Sequence, residues 1–230
     1  PVKATSETNR QARRLFAPIA ADYDTWSRVL SFGQDPRWRR EMVDRLGIVP
    51  GARVLDVAAN TGMVSRLLRE RGHQVVSLDQ SPEMLAGAAA KGFSAVNARA
   101  EHLPFKDKEF DALTFTYLLR YVDDPPACMG ELVRVVRPGG MVGMVEFGRP
   151  RGAAGPLWWL YTRVGLPLAG SLISPGWRRV GGFLGESIDA FHDRFPEQAL
   201  TGLWRDAGLE KVGLRRLSLE GGLVMWGRRA

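Results

Sequence analysis

The sequence has little cysteine and little histidine, and it lacks a long uninterrupted apolar run. One cysteine and three histidines occur among 230 residues, so no disulfide framework and no cluster of cysteine ligands can form, and we expect no metal site. This cysteine usage, and the lack of an apolar signal core in residues 1–14, predict a cytoplasmic protein. The most apolar stretch, residues 149–182, is interrupted by arginine, proline and glycine, so it predicts no bilayer-spanning helix.

Acidic residues are too few to balance the basic ones. The formal net charge is +7 and the sequence pI is about 10.1, a balance that many nucleic-acid-binding proteins share. The arginines occur in small scattered clusters, however, and no basic stripe with interleaved aromatic residues is present. We therefore expect no nucleic-acid partner, and favour an anionic membrane surface or a solvated face as the reason for the charge.

The centre of the chain reads as a strand, a tight turn and a helix. Val54, Leu55 and Val57 form the short apolar, β-branched run that is typical of a buried parallel strand, and an amphipathic pattern begins at Met63. A second strand ends in Asp79, about 20 residues beyond the turn, which is the layout of dinucleotide-binding folds. A carboxylate at that position is suited to accept hydrogen bonds from the hydroxyls of a ribose.

The remaining elements alternate as in an α/β fold. Apolar runs predict three more strands, over residues 93–97, 110–116 and 141–147. Helices are predicted after Ser81 and after Pro125, and Arg137–Gly140 reads as the stop signal of the second helix. With a closing antiparallel hairpin over residues 209–226, the prediction is a mostly parallel, seven-stranded sheet with helices on both faces.

Two segments flank this sheet within what we expect to be a single domain over residues 1–230. Residues 1–47 predict a helical cap in broken pieces, in which Asp35 before Pro36 is expected to cap a helix. Residues 148–196 are rich in glycine, proline and large apolar side chains. They predict an inserted apolar lid, and a helical packing layer is equally compatible with the pattern.

The turn after the first strand matches a known motif. It reads Asp56-x-Ala-x-Asn-x-Gly, in register with the acidic D-x-G-x-G-x-G loop of class I methyltransferases that bind S-adenosylmethionine. Further landmarks are AADYD (20–24), LSFG (30–33), WRR (38–40), AEHLPF (100–105), RVVRPGG (134–140) and EFGRP (146–150). With these the chain resembles the ubiquinone/menaquinone biosynthesis C-methyltransferase family over nearly its whole length. The resemblance implies a Rossmann-like class I methyltransferase fold with S-adenosyl-L-methionine as cofactor.

The resemblance also implies which residues contact the cofactor. They are Asp56, Ala58, Asn60, Thr61, Gly62, Asp79, Gln80, Arg99, Ala100 and Thr116. Asn60 replaces a glycine of the family, and asparagine is the residue other than glycine that best tolerates a left-handed backbone. Arg99 stands where the family often has asparagine or aspartate, so we expect a backbone contact from Ala100 to survive there and a side-chain contact to be lost.

The reaction implied by the resemblance is methyl transfer to a ring carbon of a prenylated quinol such as demethylmenaquinol. Arg120 is then the candidate catalytic residue that stabilises a phenolate. Tyr23, alone or through a water held with Asp24, is the candidate proton relay. The family's Gly-Leu-Arg-Asn stretch reads Leu118–Tyr121 here, with the arginine retained and the asparagine lost.

Several alternatives remain open at this stage. Arg120 can instead form a structural ion pair with an acid such as Asp123 or Asp124. The altered acceptor motif is compatible with an O- or N-methyltransferase of another small or lipid acceptor. A nucleic-acid methyltransferase and a non-catalytic protein that only binds S-adenosylmethionine are further readings. The tryptophans and leucines of the lid suit an isoprenoid chain or a peripheral contact with a membrane surface.

Overall fold

A computed structural model of the chain describes residues 7–230, and it contains one seven-stranded sheet. The strands are β1 (Arg53–Val57), β2 (Gln74–Asp79), β3 (Ser94–Asn97), β4 (Phe110–Thr116), β5 (Val136–Phe147), β6 (Leu209–Leu217) and β7 (Gly222–Arg229). Their order in the sheet is β3-β2-β1-β4-β5-β7-β6. β1 to β5 are parallel and β7 is antiparallel to both its neighbours. The predicted mostly parallel sheet is therefore confirmed.

Helices cover both faces of this sheet. They are α1 (Glu7–Phe16), α2 (Tyr23–Leu30), α3 (Gln34–Leu46), α4 (Met63–Glu70), α5 (Pro82–Ala90), α6 (Pro125–Arg134), α7 (Ala154–Leu160), α8 (Leu166–Ile173), α9 (Pro175–Arg194) and α10 (Glu197–Asp206). Side chains of α6 and α10 form one buried cluster with the sheet, and side chains of α3 and α4 form another. Alternate residues of β1 point into the two clusters, as a central parallel strand requires.

The predicted stop signal Arg137–Gly140 is part of β5, so this prediction was wrong. α6 ends at Arg134, and β5 begins two residues later. Val136 pairs with Phe110 and Met141 with Ala112, so the intervening residues bulge out of the ladder. The glycines allow that bulge, because Gly139 adopts a φ of +77° that few other residues tolerate.

The two flanking segments are helical and meet above the sheet. Ala17–Asp22 forms a 3₁₀ turn between α1 and α2, and Tyr161–Gly165 forms a π-helical turn between α7 and α8. A third buried cluster joins the first of these segments to α9, through side chains that include Ile19, Tyr23 and Trp177. Residues 1–6 of the predicted cap lie outside the described residues. Within residues 7–230, no helix combines the length and the apolar character needed to cross a bilayer.

Candidate active site

A cavity of about 540 Å³ opens at the carboxyl ends of β1, β2 and β4. Its floor consists of the residues that follow these strands, and its roof consists of side chains from α1, α2 and the segment α7–α9. Most of the lining is apolar or aromatic, with a few polar groups. This is the edge at which ligands bind in parallel α/β sheets.

The turn after β1 has the backbone that its sequence predicts at Asn60, but not at Ala58. Asn60 has a φ of +52° and Gly62 a φ of +83°, so the asparagine occupies the left-handed region as expected. Its side-chain amide donates a 2.7 Å hydrogen bond to the Ala58 carbonyl, which stabilises the turn locally. Ala58 itself has a φ of +52°, a strained conformation that nothing in the sequence indicates. A Cβ on Gly62 would lie 3.1 Å from Phe93, so there is little room for a side chain at this position.

Asp56 lies beneath the turn and does not line the cavity. Its buried carboxylate accepts a 2.6 Å hydrogen bond from the Ser65 hydroxyl on α4 and a 2.9 Å bond from the Thr114 hydroxyl on β4. Burial raises the pKa of Asp56 to about 6, although these two donors oppose the shift. Asp56 therefore joins β1 to its neighbours and holds the turn in place.

Asp79 presents a backbone-held carboxylate to the cavity. One oxygen accepts a 2.9 Å hydrogen bond from the Asn60 N–H, and the other accepts a 2.9 Å bond from the Ser81 N–H. Burial raises the pKa of this carboxyl, and the backbone donors oppose the rise. Each oxygen keeps acceptor capacity beyond its one backbone bond. The adjacent Gln80 also lines the cavity, and its buried Oε1 has no hydrogen-bond donor within the described chain.

In the segment after β3, some side chains line the cavity and others contact the surrounding protein. Ala100 lines the cavity, whereas Arg99 does not. The Arg99 guanidinium donates a 3.0 Å hydrogen bond to Glu101, whose carboxylate also accepts a 2.7 Å bond from the Asn9 amide. The arginine that replaces the family's polar residue is thus directed to a neighbouring acid.

A buried polar cluster at the end of β4 joins the predicted Thr116 to three residues that were not among the predicted site residues: Asp35, Arg39 and Tyr117. Thr116 lines the cavity, and its hydroxyl accepts a 3.1 Å hydrogen bond from Arg39. Arg39 pairs with Asp35 at 2.9 Å, and the Tyr117 hydroxyl donates a 2.6 Å bond to the same aspartate. Burial, followed by the charge of Asp35, raises the pKa of Tyr117 well above its usual range. The sequence signal for the pair is the spacing of four residues between Asp35 and Arg39.

Asp35 does not cap a helix, so that prediction was wrong. α3 begins one residue earlier, at Gln34, and Gly33 stands at its cap with a φ of +74°. The carboxylate is drawn instead to Arg39 and Tyr117, because a buried charge needs ionic and hydrogen-bonding partners.

Arg120 lies buried in the cavity wall. Its side chain is 2% exposed, and it pairs with Glu146 on β5 at 2.9 Å. A second nitrogen donates a 3.1 Å hydrogen bond to the Ser187 hydroxyl on α9. Burial raises the pKa of Glu146, and the charge of Arg120 opposes the rise. The alternative of a structural ion pair with an acid is therefore confirmed, but the acid is Glu146 on the neighbouring strand and not one of the two examples, Asp123 and Asp124.

Tyr23 lines the cavity at the start of α2. Its ring stacks on Trp177 with a centroid distance of 6.2 Å, and burial raises the pKa of its hydroxyl. Asp24 does not line the cavity: it accepts hydrogen bonds from the Thr61 hydroxyl and, at 2.6 Å, from Lys91. Asp24 therefore ties α2 to the turn and to the end of α5, and a water held jointly with Tyr23 stays a prediction.

The predicted site residues thus fall into two groups. Those that line the one cavity are Tyr23, Ala58, Asn60, Asp79, Gln80, Ala100, Thr116 and Arg120. Those outside its lining are Asp56, Thr61, Gly62 and Arg99. Each member of the second group lies within two residues, along the chain, of a member of the first, so we expect it to support the site from behind.

Comparison with known proteins indicates the family of this chain. The profile of the ubiE/COQ5 methyltransferase family matches residues 3–227. A demethylmenaquinone methyltransferase of Renibacterium salmoninarum is 39% identical over 218 residues, which are 91% of this chain and 87% of that protein. One of Thermus thermophilus is 40% identical over 186 residues, 77% of this chain and 84% of that protein.

Solved structures share the fold at much lower identity. A SAM-dependent methyltransferase of Thermotoga maritima has a TM-score of 0.65 at 19% identity and covers 94% of this chain and 99% of its own. One of Aquifex aeolicus has a TM-score of 0.64 at 17% identity, with coverage of 93% and 98%. The family match over nearly the whole chain, together with these relatives, leads to one conclusion: the protein belongs to the ubiE/COQ5 family of S-adenosylmethionine-dependent methyltransferases.

Proposed function

We propose that this protein binds S-adenosylmethionine and methylates a ring carbon of a prenylated quinol, demethylmenaquinol. Relatives named demethylmenaquinone methyltransferase support the choice of acceptor. The observation that carries the proposal is the composition of a single cavity. It joins Asp79 and Gln80 on one side to Arg120 among aromatic side chains on the other.

The residues after β1 and β2 fit the proposed cofactor. The Asp79 carboxylate, fixed by backbone N–H groups, has acceptor capacity left for ribose hydroxyls. The buried Gln80 Oε1 lacks a donor within residues 7–230, and the amino group of adenine can supply one. The other residues proposed to hold the cofactor are Ala58, Asn60, Ala100 and Thr116. We assign a positioning role to the predicted residues outside the lining, namely Asp56, Thr61, Gly62 and Arg99.

The chain must align the acceptor carbon and exclude water. When bound, S-adenosylmethionine supplies a methyl group on a sulfonium, which is electrophilic without further activation. The roof of the cavity, which includes Trp158, Tyr161 and Trp177, places aromatic surface where water would otherwise enter. Alignment and exclusion of this kind are sufficient to accelerate a transfer whose donor is already reactive.

Arg120 supports the acceptor side of the reaction. A ring carbon becomes a nucleophile when a neighbouring hydroxyl of the quinol loses its proton, and the resulting phenolate needs a positive partner. The Arg120 guanidinium lies in a buried, low-dielectric wall, where such a partner is most effective. Glu146 and Ser187 fix its orientation before the substrate arrives, so little reorganisation accompanies the change in charge.

Tyr23 acts in this proposal as a proton relay. Because burial raises its pKa, the hydroxyl keeps its own proton near neutral pH. It therefore serves as a hydrogen-bonding group that accepts one proton while donating another, and it does not start the reaction as a phenolate base.

The acceptor also bears on where the enzyme works. A prenylated quinol resides in a bilayer because of its tail, so we propose that the protein acts in the cytoplasm as a peripheral protein at the membrane. The predominantly apolar lining of the cavity suits the quinol ring and the first part of such a tail.

A labelled-methyl assay tests the proposal. The purified protein is incubated with methyl-labelled S-adenosylmethionine and reduced demethylmenaquinol, and the product is analysed by mass spectrometry with fragmentation of the ring. We expect the label on a ring carbon. The oxidised quinone, which has no hydroxyl to deprotonate, is the matched control and is expected to remain unmethylated. Label on oxygen, or transfer to another phenol with none to demethylmenaquinol, would overturn the acceptor assignment.

A further inference from the structure

We propose that an exposed apolar surface around the cavity opening docks this protein on an anionic lipid bilayer. This mouth surface consists of Val29, Phe32, Leu157, Trp159, Leu160, Val164, Leu168, Leu172 and Leu219. The inference rests on the proposed function only in that a membrane-borne acceptor gives the docking a purpose. The surface and its partner follow from exposure and charge alone.

The exposed apolar side chains of the described chain are concentrated in one region. Of the ten large apolar residues exposed within residues 7–230, nine belong to the mouth surface and only Val49 lies elsewhere. Leu172 is 90% exposed and Phe32 is 77% exposed. A group of this many exposed apolar side chains indicates an interaction site.

Three chain segments come together to form the mouth surface. The end of α2 meets the α7–α8 segment, because the ring of Phe32 lies 5.7 Å from that of Tyr161. The β6–β7 turn meets the same segment, since a Cβ on Gly221 would lie 3.0 Å from Trp158. Residues far apart in sequence thus form one continuous apolar rim.

The mouth surface continues into the cavity. Phe32, Leu157 and Leu219 are exposed and also line the cavity. An amphiphilic acceptor can therefore pass from a lipid phase into the site along apolar side chains, without crossing water. A surface that served only to bind another protein would not need this continuity.

The segment that supplies most of the mouth surface carries charge of one sign. Residues 147–185 contain five arginines and no aspartate or glutamate. Two of the arginines pair with acids further along α9. The other three are exposed and form none of the ion pairs found within the described part of the chain: Arg151, Arg178 and Arg179.

An apolar surface whose main segment carries unpaired arginines suits an anionic bilayer better than a second copy of the chain. Each arginine near such a surface strengthens binding about fivefold at low salt, while the apolar side chains enter the headgroup region. A symmetric dimer through the same face would bring the arginines of two copies together, and like charges repel. The bilayer is therefore the partner with complementary charge.

Co-sedimentation with vesicles tests the apolar part of the surface. Vesicles of phosphatidylcholine and phosphatidylglycerol in equal parts are compared with vesicles of phosphatidylcholine alone, and we expect stronger binding to the mixed vesicles. Leu172→Asp and Trp159→Asp are each expected to weaken this binding at least about tenfold. Val49→Asp is the matched control, because Val49 is 72% exposed but precedes β1, at the opposite edge of the sheet, and we expect it to bind like the parent.

A second pair of variants tests the charge. Arg178→Glu is expected to weaken binding to the mixed vesicles about fivefold or more, and added salt should weaken binding of the parent in the same direction. Arg228→Glu is the control, since Arg228 is also exposed but pairs in the sheet with Met141, in the first half of β5, away from the carboxyl end of the strand and the mouth surface.

The outcomes separate docking from catalysis. Methyl transfer to a water-soluble, short-tailed demethylmenaquinol analogue is measured on the same proteins, with circular dichroism to establish folding. We expect Leu172→Asp, Trp159→Asp and Arg178→Glu to transfer methyl to the analogue at the parental rate. If no protein, the parent included, methylated the analogue, the result would count against the proposed function. The docking proposal would still be decided by the vesicle experiment. The docking proposal would be overturned if the parent did not bind vesicles, if these variants bound them like the parent, or if Val49→Asp lost binding equally. It would also be overturned if the variants disrupted a dimer, measured by size-exclusion chromatography, and left vesicle binding unchanged.

Discussion

Removal of Arg120 should separate its catalytic role from its structural one. The side chains of Arg120 and Glu146 are 2% and 1% exposed and lie 2.9 Å apart, so each charge depends on the other for compensation. Arg120→Met leaves a buried carboxylate without its partner, which costs about 3–5 kcal/mol of stability. The double variant Arg120→Met/Glu146→Gln removes both charges and keeps an acceptor for the Phe147 N–H, so we expect most of that stability to return.

Catalysis should not return with stability. If Arg120 stabilises a phenolate, both variants are expected to lose about a hundredfold to a thousandfold in kcat, the usual effect of removing a preorganised charge-stabilising group. Urea denaturation gives the stabilities, and the labelled-methyl assay gives kcat. Arg45→Met is the matched control, because Arg45 pairs with Glu41 at 2.8 Å on the surface and its loss is expected to cost less than about 1 kcal/mol. Parental kcat in the folded double variant would show that Arg120 serves only the fold, and an unchanged stability of Arg120→Met would refute the argument from burial.

Further predictions concern the donor side and the packing. Asp79→Ala is expected to weaken S-adenosylmethionine binding, measured by calorimetry, about tenfold or more through lost charged hydrogen bonds; undiminished binding would remove Asp79 from the site. Because the pKa of Asp56 rises from 3.8 to about 6 on folding, the free energy of unfolding of the parent relative to Asp56→Asn should fall as pH increases between those values; a constant difference in urea titrations would contradict this. Gly222→Ala places a Cβ 2.3 Å from Trp38 and should cost about 1–3 kcal/mol in thermal unfolding, whereas Gly202→Ala on α10 meets no atom within 4 Å and should gain up to about 1 kcal/mol; equal shifts would contradict the packing.

The sequence predicts the sheet and the turn well, because local patterns determine both. Apolar runs mark β1 and β4, and the spacing from the turn to Asp79 places the second strand and its terminal acid. Asn60 adopts the left-handed backbone expected of it, since that preference belongs to the residue itself. The prediction for Arg137–Gly140 was wrong because proline and glycine occur in β-bulges as well as at helix ends. Only the pairing of Val136 and Met141 with β4 shows that this segment is a bulge.

The sequence does not predict which side chains pair across the fold. Arg120 pairs with Glu146 and Asp24 with Lys91, and each pairing joins elements that are distant in the chain. The ends of β4 and β5 are adjacent in the sheet, so Glu146 comes close to Arg120 only after the strand order is known. The same holds for the mouth surface, whose apolar residues come from three separate segments and form a patch only once these are packed.

A crystal structure with S-adenosylmethionine bound tests the central claim most directly, namely that the edge of the sheet after β1 and β2 holds the methyl donor beside the acceptor cavity. The account predicts ribose hydroxyls within hydrogen-bonding distance of the Asp79 carboxylate and a sulfonium methyl that faces the part of the cavity lined by Arg120. A donor bound elsewhere on the protein, or an empty crevice at saturating donor concentration, would contradict it.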